Sequence, residues 1–292
     1  MTERSGHFED PRTVLKRHGL RPKRSWGQNF LVSPRAVNTI SKACVDKPGR
    51  HVIEIGAGLG TLTSALLSLG GRVTAIERDR EMCAVLRSDF GGRDGFFLAE
   101  ADAKKFDYTS CLAEEHGVIA GNLPYQLTGQ LIRNVMDVGP SLIRAVLMVQ
   151  EEVANRLVAT PGGKERGALS VIVQARYKPR ILLRLQPTAF HPKPKVRSSV
   201  VEFEPRSDTV FSEDLQQAVF DRVVKAAFSS RRKTLRNALA AGGLGAAEEM
   251  GRILAQLEID SRIRPERVTE EEFCSIGKFV EKACKSLAAS RQ

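Results

Sequence analysis

The sequence lacks any apolar run long enough to span a membrane. A helix that crosses a bilayer needs about 20 consecutive apolar residues, and no stretch approaching that length occurs in the 292 residues. The opening residues, MTERSGHFED, mix acids and bases without an apolar segment, so we expect no secretory signal. We therefore expect a cytoplasmic protein that has no contact with a membrane.

Cysteine and histidine are scarce and scattered. The five cysteines form no Cys-x-x-Cys pair, and their odd number and wide spacing favour reduced thiols over a disulfide framework or a zinc site. The five histidines are also dispersed, and nothing in their spacing resembles a Ser–His–Asp arrangement or a set of metal ligands. We therefore expect no metal site and no hydrolytic triad.

Acidic residues are outnumbered. The chain has 34 acidic and 45 basic residues, for a net charge of +11, and three basic segments contain no acid: 12–24, 176–197 and 231–236. Basic side chains that neutralise phosphates release condensed counterions, which favours binding to polyanions. A single such segment is typical of a solvated surface, but three in one chain favour a nucleic acid partner.

Short apolar runs alternate with amphipathic segments between residues 51 and 150. The apolar runs predict five strands, at 51–56, 73–77, 95–102, 117–122 and 145–150. The intervening segments have helical periodicity. Strands that alternate with helices at this spacing indicate βαβ units, and therefore an α/β fold with a parallel sheet.

The pattern changes beyond residue 150. Two further strands are predicted at 170–177 and 198–205, separated by the proline-rich segment 186–197. After Pro205 only helices are predicted, at 213–228, 231–241, 246–257 and 270–288. We place a boundary near residue 206, which gives an α/β domain over 1–205 and a small helical domain over 206–292.

A glycine-rich turn follows the first predicted strand. Gly56, Gly58 and Gly60 have the spacing Gly-x-Gly-x-Gly, which differs from the Gly-x-Gly-x-x-Gly of folds that bind a pyrophosphate. Glu77 ends the second strand, where a carboxylate can bind ribose hydroxyls, and Asp102 follows the third, where it can accept from an adenine amine. Singly, such glycines can be steric and such acids can cap helices. Together they indicate a site for an adenosine compound without phosphates, and S-adenosylmethionine fits that description.

The sequence Asn122-Leu123-Pro124-Tyr125 ends the fourth predicted strand, at the sheet edge where such folds bind ligands. Alone it is compatible with a proline turn and a packed tyrosine. Beside a cofactor loop it suits methylation of the adenine amine, a poor nucleophile whose lone pair is delocalised. The Asn122 side-chain oxygen and the Leu123 carbonyl can accept the two amine hydrogens. Pro124 stiffens the turn, and the Tyr125 ring can stack on an extruded base.

Several motifs in one order now resemble a single family, the KsgA-type small-subunit ribosomal RNA adenine dimethyltransferases. The resemblance runs from about Ser25 to Phe273, nearly the whole chain. The motifs are WGQNFL (26–31), EIGAGLG (54–60), AIE (75–77), NLPY (122–125), LMVQEEVANRLVA (147–159), FHPKPKVRSSVV (190–201) and FSSRRKTLRNAL (228–239). The implied fold is a Rossmann-like class I methyltransferase domain, dependent on S-adenosylmethionine, with a small C-terminal helical domain.

The resemblance also implies roles for individual residues. Asn29 and Leu31 would close over the cofactor, and Phe190 would face Tyr125 so that the two rings enclose the target base. Together with Asn29 and Leu31, the expected cofactor site contains Gly56, Gly58, Gly60, Glu77, Asp102 and Asn122. The helical domain would contact ribosomal RNA phosphates through Arg231, Arg232, Lys233 and Arg236.

The activity implied by the resemblance is dimethylation of N6 on each of two adjacent adenosines near the 3′ end of 16S rRNA, in an assembling small subunit. We expect a monomer. Two alternatives stay open on the sequence alone. One is an Erm-type methyltransferase that acts on 23S rRNA and shares the Asn-x-Pro-Tyr core. The other is an RNA-binding assembly factor that has lost catalysis, against which the intact residues 122–125 and the complete cofactor site argue.

Overall fold

The structure is a computed structural model that describes residues 8–23, 26–208, 215–230 and 232–289. It divides into two compact units. The first contains Met1–Ala154 and Pro179–Pro205, and the second contains Asn155–Lys178 and Arg206–Gln292. This division differs from the predicted one at residues 155–178, which belong to the helical unit and not to the α/β unit.

The first unit is built on a seven-stranded sheet and a separate two-stranded one. The strands of the chain are β1 (Phe30–Leu31), β2 (His51–Ile55), β3 (Arg72–Glu77), β4 (Phe96–Glu100), β5 (Gly117–Asn122), β6 (Leu142–Gln150), β7 (Tyr177–Leu185), β8 (Phe190–His191) and β9 (Ser198–Pro205). The large sheet has the order β4-β3-β2-β5-β6-β9-β7, and β1 pairs with β8. Neighbouring strands from β4 to β6 are parallel, whereas β9 is antiparallel to β6.

Helices connect these strands. They are α1 (Pro11–Arg17), α2 (Pro34–Cys44), α3 (Thr61–Ser68), α4 (Arg80–Phe90), α5 (Tyr108–Cys111), α6 (Thr128–Met136) and α7 (Glu151–Leu157). All five residues of β2 are buried, as expected of a parallel strand covered on both faces. Because parallel strands end at one edge of a sheet, the segments after β2, β3, β4 and β5 lie near one another. The predicted α/β fold and parallel sheet are confirmed.

The second unit is helical around its own apolar core. Its helices are α8 (Ala168–Gln174), α9 (Gln217–Ala227), α10 (Leu235–Ala241), α11 (Ala247–Gln256) and α12 (Glu270–Ala289). The Arg166 guanidinium, with 3% of the residue exposed, donates to Glu270 at 2.8 Å and to the Val268 carbonyl at 3.0 Å. This buried pair ties the segment before α8 to the start of α12.

In the described part of the chain, no helix is long and apolar enough to cross a membrane.

The strand predicted over 170–177 is wrong, since most of that segment forms α8. Ser170 to Val173 are all buried, and a fully buried helix has the same continuous apolar pattern as a buried strand. Val171 and Ile172 pack in the core of the second unit, and the Ser170 hydroxyl donates to the Arg156 carbonyl at 2.6 Å. The strand begins only at Tyr177, and the sequence analysis did not predict its continuation to Leu185.

Candidate functional site

A cavity of about 390 Å³ opens where β2, β3 and β5 of the first unit end. Its walls come from the N-terminal segment around β1, the glycine turn and the segments after the strands. The predicted site residues that line it are Asn29, Leu31, Gly56, Gly58, Glu77, Asp102, Asn122, Leu123, Pro124 and Tyr125. Gly60 and Phe190 do not line it. The fold thus brings together residues that lie up to 96 positions apart between Asn29 and Tyr125.

The glycine turn places bare backbone against the cavity. Gly56 and Gly58 have φ values of 68° and 55°, a region that residues with a Cβ rarely adopt. A Cβ on Gly58 would lie 3.1 Å from the Phe30 ring, so this ring packs directly on the turn. A Cβ on Gly60 would lie 2.2 Å from the Phe90 ring. Gly60 therefore serves close packing in this structure and not the cavity wall.

Glu77 lies at the end of β3 and is held by backbone N–H groups. Its Oε2 accepts from the Gly58 N–H at 2.9 Å, and its Oε1 accepts from the Arg78 and Asp79 N–H groups at 2.8 and 2.9 Å. A carboxylate has about four acceptor positions, so roughly one remains, on the oxygen that faces the glycine turn. The carboxylate is fixed between the turn and the start of α4 before any ligand binds.

Asp102 follows β4 and also takes part in a local turn. Its Oδ1 accepts from the Lys104 N–H at 2.9 Å, and the Lys104 ammonium lies 3.7 Å from Oδ2. About a third of the Asp102 side chain is exposed, at 29%. The second oxygen is therefore the one that can accept from a ligand amine.

Asn122 ends β5 with its amide oriented. Its Nδ2 donates to the Asn29 carbonyl at 2.9 Å, while the Asn29 side chain donates to the Gly27 carbonyl at 2.9 Å. A side-chain amide has one acceptor and two donors. Because the nitrogen is bound to the N-terminal segment, Oδ1 is the atom presented as an acceptor. This is the orientation that the predicted role of Asn122 requires.

Tyr125 is held by hydrogen bonds at its side-chain hydroxyl and at its backbone carbonyl. Its hydroxyl lies 2.8 Å from the hydroxyl of Ser198, a residue with no exposed surface at the start of β9. The Thr128 hydroxyl donates to the Tyr125 carbonyl at 3.1 Å. Burial raises the pKa of the Tyr125 hydroxyl, so the group stays protonated at neutral pH. The ring is consequently a fixed surface at the cavity and not a base.

Phe190 lies in the core and not at the cavity. It is 2% exposed and pairs through β8 with Leu31 of β1. Its ring belongs to the apolar cluster of the first unit that also contains Leu31 and Val200. In this arrangement Phe190 supports the strand that carries Leu31, and its stacking on a target base stays a prediction.

The side chain that anchors the N-terminal segment belongs to no motif of the sequence. Asp79, with 2% of the residue exposed, accepts from the Lys23 ammonium at 2.9 Å and from the Gln28 amide at 2.8 Å. The Asp79 N–H in turn donates to Glu77. The segment before β1 is thus attached to the loop that fixes Glu77. Asp79 directly precedes α4, and the usual interpretation of such an acid is an N-cap, which it also is.

Glu54 is another site residue for which the sequence motifs predicted no role. It lies within β2, lines the cavity and is 2% exposed. The Thr63 hydroxyl donates to its Oε2 at 2.5 Å, yet burial raises the pKa of the carboxyl to about 8. An acid between two isoleucines, Ile53 and Ile55, in a fully buried strand is the sequence signal that marks it. At neutral pH this group is largely protonated.

The predicted RNA-contacting residues lie in the second unit. Arg232, Lys233 and Arg236 are exposed around the start of α10, whereas Arg231 lies outside the described residues. The Leu235 N–H donates to the Ile263 carbonyl at 2.7 Å. This bond brings the exposed Arg262 and Arg264 beside the same helix end. The result is a basic surface on the helical unit.

The architecture is that of a class I methyltransferase, and comparisons with known proteins define the family. Residues 19–282 match the model of the family described as ribosomal RNA adenine dimethylase. The chain therefore belongs to the ribosomal RNA adenine dimethylase family. This confirms the family predicted from the motifs and, at the level of the family, the predicted ribosomal RNA adenine dimethyltransferase activity.

Two curated relatives are similar over nearly the whole chain. A protein of Anaeromyxobacter sp. (strain K) named Ribosomal RNA small subunit methyltransferase A is 40% identical over 283 residues, covering 92% of this chain and 97% of the relative. A protein of the same name from Desulfitobacterium hafniense (strain DSM 10664 / DCB-2) is 42% identical over 272 residues, covering 93% and 96%.

Solved structures support the fold. A dimethyladenosine transferase from Plasmodium falciparum superposes with a TM-score of 0.73 at 24% identity, covering 88% of this chain and 98% of that structure. The 23S rRNA methyltransferase ErmE superposes with a TM-score of 0.66 at 19% identity, covering 87% and 100%. At these identities the likeness concerns the fold alone. The predicted Rossmann-like methyltransferase fold is confirmed.

Proposed function

We propose that this protein transfers methyl groups from S-adenosylmethionine to N6 of two adjacent adenosines near the 3′ end of 16S rRNA, dimethylating each, during assembly of the small subunit. The small-subunit target is supported by the names of relatives that are about 40% identical. The structural observation that carries the proposal is the Asn122 amide, which the Asn29 carbonyl orients with its oxygen as the acceptor. A cytoplasmic location and a monomeric state are part of the same proposal.

The cavity residues fit S-adenosylmethionine. Gly56 and Gly58 line the cavity without a side chain, so an adenosine compound can approach the backbone closely at these two positions. Glu77 supplies an acceptor suited to ribose hydroxyls, and Asp102 supplies one suited to an adenine amine. Asn29 and Leu31 of the N-terminal segment also line the cavity. When bound, the cofactor supplies a methyl group activated by a sulfonium.

The chain's part in the reaction is to orient the target amine. In the first transfer to an adenosine, Oδ1 of Asn122 and the Leu123 carbonyl accept the two amine hydrogens, which allows the nitrogen to become tetrahedral and directs its lone pair. The methylated nitrogen then releases one of these protons to water. In the second transfer the amine has one hydrogen left, which one of the same two acceptors binds. The Leu123 N–H donates to the Met148 carbonyl at 3.1 Å, so the peptide is anchored to β6. Acceptors fixed in advance stabilise the charge that develops on the amine. Positioning of the target amine supplies much of the rate of methyl transfer. The Asn122 amide is not a strong base.

Tyr125 provides the surface for the target base. A base taken out of its stack needs a compensating contact, and stacking on an aromatic ring contributes about 1–3 kcal/mol per base. The bond to Ser198 fixes the position of the hydroxyl end of the ring. Phe190 would complete the enclosure from the other face only if its ring left the core position described above.

In this proposal the helical unit contacts phosphates of the RNA and recognises no base. Arg232, Lys233 and Arg236 neutralise phosphates of the ribosomal RNA, and we place Arg231 with them. Phosphate contacts fix the position of a protein on RNA without reading its sequence. In this proposal the particle determines where the protein binds, and residues 122–125 determine which atom is methylated.

Methyl transfer to separated ribosomal particles tests the target. Undermethylated small subunits and large subunits are incubated in parallel with labelled S-adenosylmethionine and the protein. Label confined to 16S rRNA is expected. Label in 23S rRNA would support the Erm-type alternative, and binding to small subunits without any label would support the assembly factor that has lost catalysis.

A further inference from the structure

Glu54 is a buried acid in the wall of the cavity. It lies within β2, is 2% exposed and lines the cavity. The Thr63 hydroxyl donates to its Oε2 at 2.5 Å, and a carboxylate has about four acceptor positions, so capacity for a ligand donor remains. Among the described residues, no salt bridge involves Glu54 and no cationic side chain stabilises its charge. Such an acid is often only a structural hydrogen-bond partner, but one in a cavity wall can also meet a ligand.

The surroundings of Glu54 disfavour a negative charge on its carboxyl. The described groups that interact with it are Cys44 of α2, Thr63 of α3 and Glu77 of β3. Burial raises the pKa of the Cys44 thiol, so this neighbour stays neutral. Burial and the like charge of Glu77 raise the pKa of the Glu54 carboxyl to about 8, although the bond from Thr63 lowers it. The carboxyl is therefore mostly protonated at neutral pH as long as no cation lies beside it.

The order of the strands places Glu54 between two parts of the proposed site. The strands β4, β3, β2 and β5 are neighbours in that order, and they or the segments after them contribute, in turn, Asp102, Glu77, Glu54 and Asn122. With the adenine at Asp102 and the ribose at Glu77, the amino-acid part of S-adenosylmethionine is left for the region of β2. That part carries an ammonium group, which donates hydrogen bonds and has the charge opposite to that of a carboxylate.

We infer that Glu54 is a further cofactor-binding residue, which carries a proton in the ligand-free protein and releases it when the ammonium group of S-adenosylmethionine binds beside it. The inference rests on the proposed function, since it takes S-adenosylmethionine to be the ligand of the cavity. It adds a consequence that the other cofactor residues do not imply: binding of the cofactor transfers a proton from the protein to the solvent.

The proton balance of the binding step is simple. The O–H bond of the Glu54 carboxyl breaks, its proton passes to the buffer, and the resulting carboxylate accepts an N–H of the ammonium group. No covalent bond of the cofactor changes. An opposite charge at hydrogen-bond distance favours the ionised form of a carboxyl, and it does so most strongly where water is excluded. The bound ammonium therefore offsets the burial that keeps Glu54 neutral.

Isothermal titration calorimetry counts the protons. S-adenosylmethionine is titrated into the full-length protein at neutral pH in buffers that differ in ionisation enthalpy. The dependence of the observed binding enthalpy on that ionisation enthalpy gives the number of protons exchanged and the direction of exchange. Because Glu54 is mostly protonated beforehand, the wild-type protein should release most of one proton. The α-amino group of the cofactor, with an ordinary pKa of about 7.7–8.0, takes up protons when it is held as ammonium and so is not the source.

A second ligand provides a control that needs no variant. 5′-Deoxy-5′-methylthioadenosine retains the adenosine that Glu77 and Asp102 are proposed to bind but lacks the amino-acid part. Its binding to the wild-type protein should release no proton. Release of the same number of protons with both ligands would overturn the inference.

A matched pair of variants identifies the source of the proton. Glu54→Gln keeps the shape of the side chain, and S-adenosylmethionine should bind to it without proton release and about tenfold more weakly, the scale of one hydrogen bond to a charged group. Glu115→Gln, at an exposed acid of the same unit, should release the proton as the wild-type protein does. Thermal unfolding checks that both variants are folded. Equal release by wild type and Glu54→Gln would also overturn the inference.

The outcomes separate this inference from the proposed function. If S-adenosylmethionine binds without proton release and small subunits are methylated, only the inference is wrong. If the proton is released but methyl groups appear only in 23S rRNA, the role of Glu54 stands and the proposed target is wrong. If the protein does not bind S-adenosylmethionine, both are wrong.

Discussion

The hydroxyls of Tyr125 and Ser198 lie 2.8 Å apart and join two segments that are separated by 73 positions in the sequence. One follows the strand that ends in Asn122, and the other begins β9. The bond fixes the ring on which the target base is proposed to stack. Ser198 is therefore a positioning residue that acts through Tyr125.

A double-mutant cycle tests this link. Tyr125→Phe and Ser198→Ala each remove the same hydrogen bond, worth about 1 kcal/mol, while retaining the rest of the site. We expect each to lower kcat with little change in S-adenosylmethionine affinity, and the double variant to be no slower than the slower single variant. Tyr125→Ala should lower turnover further, by the 1–3 kcal/mol or so of lost stacking. Additive effects of Tyr125→Phe and Ser198→Ala would contradict the link.

Glu77→Ala should weaken S-adenosylmethionine binding by on the order of 1–3 kcal/mol, because ribose hydroxyls lose their acceptor. The same change leaves the Gly58, Arg78 and Asp79 N–H groups without the carboxylate they now share, so the melting temperature should also fall. Calorimetric titration and thermal unfolding measure the two effects. Glu115→Ala, at an exposed ion pair with Arg72, is the control, and equal cofactor affinity in the two variants would exclude the assigned role of Glu77.

Glu54 should make stability depend on pH. Its folded pKa of about 8 exceeds the ordinary value of 4.5, so between these values the folded chain binds more protons than the unfolded chain. The contribution of Glu54 to the free energy of unfolding is therefore complete below pH 4.5 and falls as pH rises towards 8, by up to about 1.4 kcal/mol per pH unit. Glu54→Gln should flatten that part of the profile.

Denaturant unfolding of the ligand-free protein across this pH range measures the effect. Glu248→Gln, at an exposed position on α11, provides the comparison and should retain the wild-type profile. If Glu54→Gln kept the full pH dependence, Glu54 would not be the group that titrates.

The basic surface of the helical unit should contribute to RNA affinity. Replacing Arg232, Lys233 and Arg236 with Ala should reduce the salt slope of small-subunit binding by roughly 2–3, given about 0.7–0.9 per phosphate contact. A control variant with Lys42→Ala, Lys47→Ala and Arg93→Ala, three exposed residues of the first unit, loses the same number of positive charges. No difference between these two variants would remove the helical unit from the RNA interface.

Much of the α/β unit could be predicted because its determinants are local. The five parallel strands are short apolar runs, the glycine turn directly follows one of them, and Glu77 ends another. Segment 170–177 was mispredicted because continuous burial gives Val171 and Ile172 the same pattern in a helix as in a strand. The local sequence pattern shows that a segment is apolar. It does not show in which of the two cores the segment packs.

The contacts that complete the site depend on the tertiary fold. Asn122 meets Asn29 across 93 positions, and Asp79 meets Gln28 across 51, so no spacing in the sequence indicates either pair. The motif that contains Phe190 does not predict where its ring lies. An aromatic ring suits a stacking role, but in this structure the ring is buried in the core. The motifs predict which residues serve the site, and the fold determines how they are held.

The most direct test of the central claim is nucleoside analysis of 16S and 23S rRNA over the time course of a reaction with excess S-adenosylmethionine, for the wild-type protein and for Asn122→Ala. The wild-type protein should produce N6,N6-dimethyladenosine at two adjacent positions near the 3′ end. Asn122→Ala should bind the same particles but react roughly 100-fold or more slowly, the scale for removing one oriented group that stabilises a transition state. Dimethyladenosine formed by Asn122→Ala at the wild-type rate, or wild-type product confined to 23S rRNA, would contradict the claim.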